Sequence, residues 1–193
     1  SIFMGEKKLN CAEKTLGNCF SLQIVVSVIL TAVLLIWNKD LLLAFGASEN
    51  TIGYATDYMS IYAIGTLFVQ MTLGMNTFIT AQGFTTVSMV SVIIGAVCNI
   101  VLDPIFIFGF QMGVKGAALA TIISQMLSCV WIISFLSGKK TQLKLKKENL
   151  KLRKDIILPC IALGTAAFVM QSSESVISVC FNSSLLKYGG DIA

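Results

Sequence analysis

From Tyr58 to Leu102 the chain contains no Lys, Arg, Asp or Glu, and Asp103 closes that run. An uncharged stretch of this length supplies two crossings of a hydrocarbon core about 30 Å thick, at roughly 20 residues each. Backbone groups find no water there, so the crossings must be helices that satisfy their own N–H and C=O groups. Asp103 then sits near the end of the second crossing. A carboxylate in that position costs about 3 kcal/mol or more on insertion, and such groups face a bundle interior or a wet cavity, where they handle an ion, a proton or a substrate. The alternative is a group held by local hydrogen bonds or one that reaches interfacial water.

The rest of the composition agrees. With 55% hydrophobic and 12% charged residues and no His, the chain reads as an all-α integral membrane protein whose main solvent is the lipid bilayer. Eight of its fourteen Lys and Arg lie between Lys139 and Lys154, so the net charge is one local cluster and nucleic acid is not an expected partner. Six cysteines are scattered without a C-x-x-C pair, which argues against zinc or a disulfide framework and for small apolar filling of helix interfaces. The chain opens at Ser1 without Met and closes at Ala193 in what reads as a loop. An internal piece of a longer polytopic protein is the expectation.

Five spans follow from the apolar runs: Leu16 to Asn38, continuing through Leu41 to Phe45 before a stop at Gly46; Thr51 to Thr80, with Asn50 and Thr51 as cap candidates; Thr86 to Phe110, after a tight turn over 82–86; Gly116 to Leu136, after a short loop over 111–115; and Ile156 to Leu186. Loops on the Ser1 side carry Lys7, Lys8, Lys14 and the eight basic residues of 139–154, whereas the opposite loops carry only Lys39, Lys115 and Lys187. Positive residues are retained in the cytoplasm, so the first span leaves it and the basic stretch faces it. That stretch reads as a topology determinant or an anionic-lipid patch, and as the linker between two halves of a protein.

Residues four apart share a helix face. In the third span Ser91, Gly95, Asn99 and Asp103 form one such line, followed at once by Pro104, which has no N–H to give the carbonyl of Ile100. An amide oxygen, a carboxylate and a freed carbonyl within about one turn suit a hard cation such as Na+, for which Asp103 and Asn99 are the candidate ligands; the carboxylate alone suits H+. In the fourth span Gly116, Ala120, Ser124 and Ser128 make a small-residue line suited to close packing, with Thr121 and Gln125 on the adjacent line. The second span adds Thr72, Asn76 and Thr80, plus Tyr58 and Tyr62 as interfacial aromatics or cavity lining. Glu174, beside Gln171, Ser172, Ser173 and Ser175, marks either a wet cavity that attracts organic cations or a break in the fifth helix.

With these residues in view, the chain resembles the multidrug and toxic compound extrusion (MATE) transporters. The resemblance rests on Gly5-Glu-Lys-Lys, Phe45-Gly-Ala-Ser, Gly74-Met-Asn-Thr and, most specifically, Asn99-Ile-Val-Leu-Asp-Pro-Ile-Phe-Ile-Phe and Gly113-Val-Lys-Gly-Ala-Ala-Leu-Ala-Thr-Ile-Ile-Ser-Gln. It implies five helices, three to seven, of a twelve-helix fold built from two six-helix lobes. Residues 1–138 would then belong to the N-lobe, 139–155 to a cytoplasmic linker and 156–193 to the first helix of the C-lobe. It favours the DinF-like branch, where Asp103, Asn99, Thr121, Asn76 and Tyr58 would form the cation or proton site. Glu174, with Gln171, matches a helix-seven acid of other branches and would contact substrate.

The implied activity is antiport: entry of Na+ or H+ drives export of small amphipathic organic cations by alternating access, in a monomer of the bacterial cytoplasmic membrane. No cofactor beyond the coupling ion and no catalysis is implied. A lipid-linked oligosaccharide flippase of related fold, or a non-transporting receptor or channel subunit, are the competing readings. The flippase would be expected to place Arg or Lys within a span to meet pyrophosphate, and none lies there.

Overall fold

The structure is a computed structural model that describes residues 2–6, 8–45, 47, 51–138 and 141–189, with side chains throughout except at 2, 3, 147 and 185–189. The expected helix stop at Gly46, the cap at Asn50 and the charges of Lys7, Lys139, Lys140 and Lys187 lie outside that description. Among the described residues all regular structure is helical, and five helices are long and apolar enough to cross a membrane.

A single turn, α1 (Ile2–Gly5), precedes α2 (Leu9–Ile36). After a break at Trp37 come α3 (Asn38–Ala44) and α4 (Ile52–Ala81). Gly83, at φ +87°, supplies the left-handed residue of the reversal into α5 (Thr85–Pro104). Pro104 does not end the run: a π-helical turn over Ile105–Gly109 continues it, and Phe110 N–H donates to the Ile105 carbonyl at 3.0 Å. Gln111 and Gly113, both at positive φ, then turn the chain into α6 (Val114–Ser137). A segment over 141–153 leads to α7 (Lys154–Gly189).

Two expected boundaries are corrected. Helix α2 starts at Leu9 rather than Leu16, so Lys14 is helical and not in a loop; the added turns project from the apolar run, and Glu13 and Asn18 find polar partners there. Lys115 lies in the first turn of α6, where its ammonium is 3.4 Å from the Asp57 carboxylate at the start of α4. Neither correction alters which end carries the positive charge.

Helix α6 packs against α4 and α5, α4 also packs against α2, and α7 meets α2. Small residues set these approaches: a side chain at Gly65 of α4 would strike Ile122, and one at Gly95 of α5 would come within 2.6 Å of the Ser128 hydroxyl. Gly116, Ala120, Ser124 and Ser128 are all buried, which is the packing role their spacing predicts. The core joins Met71, Met75 and Ile79 of α4 to Ile132 and Leu136 of α6, with Leu16 of α2 and Leu143 of the 141–153 segment. Helix α7 presents Leu158, Leu163, Phe168, Met170, Ile177 and Phe181 outward. Surface this apolar suits lipid or packed helices, not water.

The 141–153 segment is a strap, not a free linker. The Gln82 Oε1 accepts from Thr141 Oγ1 (2.7 Å), Gln142 N (3.0 Å) and Leu143 N (3.0 Å). Glu13 accepts from Lys144 N and from the Lys146 ammonium, the latter at 2.6 Å. Further on, Asn18 donates to the Asn149 carbonyl and accepts from Arg153 N, while Ser21 donates to the Leu150 carbonyl. Nothing in the local sequence announces these bonds, because each partner lies far away in the chain.

Candidate ion and substrate site

The polar line on α5 divides into two halves. At its N-terminal end it is sealed: Ser91 is fully buried, its carbonyl accepts from Ser128 Oγ at 2.8 Å, and its hydroxyl lies 3.3 Å from Asn76 Oδ1. Asn76 in turn reaches the Ser88 carbonyl at 3.5 Å. At the other end Asn99 and Asp103 are half-buried, and Asn99 Nδ2 donates to Asp103 Oδ1 at 3.2 Å. That bond fixes the Asn99 amide so that its own oxygen points elsewhere as an acceptor. Among the described residues no Lys or Arg pairs with Asp103.

Beside this line runs a cavity of about 270 Å³ whose wall includes Thr72, Asn76, Gly95, Asn99, Thr121 and Gln125; it ends at Asn99, and Asp103, one turn further on, is not part of its lining. Thr121 thus shares a cavity with Asn99, although its hydroxyl bonds the Ala117 carbonyl of its own helix at 2.9 Å. Eight residues separate Ser91 from Asn99, about 12 Å along a helix. Asn76, bonded beside Ser91, therefore stands at the far end of the cavity from the carboxylate.

Tyr58 is placed elsewhere. It stacks on Tyr62 with ring centroids 5.8 Å apart and, with Tyr54, lines a separate apolar cavity of about 520 Å³ between α2, α3 and α4. Eighteen residues of α4 separate it from Asn76, about 27 Å. Gln171 and Glu174 form their own pair, Nε2 to Oε2 at 2.9 Å, on the exposed surface of α7. The helix is continuous there, so the alternative of a break at Glu174 is excluded. Among the described residues no group of three or more His, Cys, Asp or Glu could hold a metal ion; the acceptors that Asn99 and Asp103 offer are oxygens.

The MatE family model matches residues 1–105, more than half of the chain. The chain belongs to the MATE family. It is 30% identical over 166 residues to the multidrug export protein MepA of Staphylococcus haemolyticus, covering 86% of this chain and 37% of that protein. To MepA of Staphylococcus aureus it is 27% identical over the same length. Among solved structures, the MATE multidrug transporter DinF-BH superposes with a TM-score of 0.79 at 31% identity, covering 95% of this chain and 47% of that one. A MOP superfamily transporter from Pyrococcus furiosus superposes with a TM-score of 0.86 at 24% identity, which speaks to the fold alone. The chain spans 37% of the length of the MepA relatives and less than half of these solved chains. Its homologues are transporters and not enzymes, and its helices and relatives make it a multi-pass membrane protein of a multidrug export family.

Proposed function

We propose that this MATE chain forms the ion-handling part of a twelve-helix antiporter in the bacterial cytoplasmic membrane, in which Na+ or H+ bound at Asp103 drives export of small amphipathic organic cations. One observation carries this reading: a carboxylate within a helix long and apolar enough to span a membrane, hydrogen-bonded to Asn99 and, among the described residues, without a Lys or Arg partner. A monovalent cation 4 Å from that carboxylate gains about 4 kcal/mol at an effective dielectric constant near 20, against about 1 kcal/mol in bulk water. Residues 1–138 fall in one lobe, and α7 opens the second after the strap. Ion and drug couple because each binds one access state better than the other. Asn99, Thr121 and Asn76 line the route, and Gln171 and Glu174 receive the cationic cargo from the second lobe. Tyr58 serves at the aromatic cavity instead, where stacked rings suit a flat cation. The cavity beside Asn99 is lined by no Lys or Arg, which does not suit the pyrophosphate of a lipid-linked oligosaccharide.

The test is efflux from vesicles holding the complete transporter under an imposed Na+ or H+ gradient. Asp103→Asn keeps the shape and removes the charge, and is expected to abolish gradient-driven efflux with membrane insertion intact. Asn99→Ala is expected to weaken it less, since water replaces an amide ligand. Undiminished transport by Asp103→Asn would refute the proposal, and conduction without ion-dependent efflux would favour a channel subunit.

A further inference from the structure

The strap and α2 enclose a recess that shares no lining residue with the cavity beside Asn99. Its volume is about 370 Å³, and its wall is Lys14, Asn18, Glu148, Asn149, Lys151 and Arg153. Three cations against one carboxylate make it an anion site by charge. Among the described residues neither Lys14 nor Lys151 has an ion-pair partner, and Arg153 has only Asp155 at 3.7 Å, with both side chains exposed.

The recess is built, not fortuitous. Asn18, 1% exposed, ties its walls together: Nδ2 donates to the Lys14 carbonyl (2.9 Å) and the Asn149 carbonyl (3.2 Å), and Oδ1 accepts from Arg153 N (2.7 Å). Gly17 lets the Asn149 backbone close against α2, since a Cβ there would lie 2.5 Å from the Asn149 oxygen. Lys14 stands two residues before the uncharged run that begins at Leu16, so the recess opens at the membrane surface. Leu152, between the lining residues Lys151 and Arg153, is 46% exposed and offers apolar surface there, and α7 continues outward with Leu158 at 72%. The distribution of Lys and Arg puts this end in the cytoplasm, where the leaflet carries anionic lipid.

We propose that this recess binds the phosphodiester head group of an anionic glycerophospholipid such as phosphatidylglycerol. Lys14, Lys151 and Arg153 meet the phosphate, Glu148 and Asn149 meet the head-group hydroxyls while the buried Asn18 only holds the walls together, and the acyl chains lie along α2 and α7. The site is distinct from the transport cavity and does not depend on how that cavity is read.

The experiment is native mass spectrometry of the purified protein with phosphatidylglycerol or phosphatidylcholine in the detergent, together with a competition arm using inorganic phosphate. Preferential retention of phosphatidylglycerol is expected, reduced roughly 30-fold by Lys14→Ala with Lys151→Ala. Lys144→Ala, which removes a charge from the same strap outside the recess, is expected to leave retention unchanged. Lys14→Gln with Lys151→Gln, nearer in shape, is to give the same loss should the alanine pair not fold. Equal retention of both lipids, or equal loss with Lys144→Ala, would overturn the proposal in favour of plain surface charge. Binding of inorganic phosphate without retention of lipid would overturn the lipid as ligand.

Discussion

Replacing Gln82 by Ala removes the acceptor on which the strap is hung, and the structure says which of the three lost bonds matters. The Thr141 hydroxyl has a second acceptor, the Leu143 carbonyl at 3.0 Å, and turns to it. The Gln142 amide belongs to an exposed residue and reaches water. The Leu143 amide is buried and has nowhere else to go. One orphaned buried N–H costs about 1–3 kcal/mol. Detaching the strap would relieve that cost but would expose Leu143, which is 2% accessible, losing about 1.5–3 kcal/mol of apolar burial and the contacts of Glu13. The cheaper course keeps the strap in place with its amide unsatisfied. Gln82→Ala is therefore expected to lower stability by about 1–3 kcal/mol. Gln82→Glu keeps the acceptor but forfeits the donation from Nε2 to the Phe78 carbonyl and buries a carboxyl; the three donors that converge on that oxygen meet its charge, so its effect should be smaller. Thermal unfolding of the purified protein in detergent measures the ranking, and trypsin cleavage at Lys144 reports strap release. Equal loss in the two variants, or none in Gln82→Ala, would refute the reasoning.

Three further outcomes are expected. Gly17→Ala drives a methyl into the Asn149 backbone and should cost about 1–3 kcal/mol, read in the same unfolding assay. Glu174→Gln in the complete transporter should weaken affinity for cationic drugs while leaving the ion dependence of the remaining efflux; the reverse pattern would exchange the roles of Glu174 and Asp103. Single cysteines at positions 115 and 144, in a background without the native six, should differ toward an impermeant thiol reagent on intact cells, with 115 labelled and 144 protected.

The spans were legible because a hydrocarbon solvent punishes every charge, so the uncharged run from Tyr58 to Leu102 outlines α4 and α5 almost by itself. The same rule misplaces the start of α2, whose first turns carry Glu13 and Lys14 on a helix that begins before the apolar run. Within the site, the i and i+4 relation puts Asn99 and Asp103 together, and small residues at fours foretell the buried face of α6. Tyr58 could not be placed this way, since helical spacing says which face a residue occupies but not which neighbour closes over it. The strap was invisible for a different reason. Three of its four anchors, Gln82, Asn18 and Ser21, are neutral, and their partners lie 59 to 135 residues away, where no local pattern reaches. Lysines nearby drew attention to charge, and the glutamine that holds the start of the strap carries none.

The strap also decides where α7 can pivot. Arg153 N is held by Asn18 at 2.7 Å, and α7 begins at the next residue, so no slack chain separates the anchored backbone from the helix. Any swing of α7 against α2 must turn about that point, as a lever does about a fulcrum. Glu174 lies twenty residues along it, an arm of about 30 Å, so a tilt of about 10° carries its carboxylate roughly 5 Å sideways while the recess at Lys14 scarcely moves.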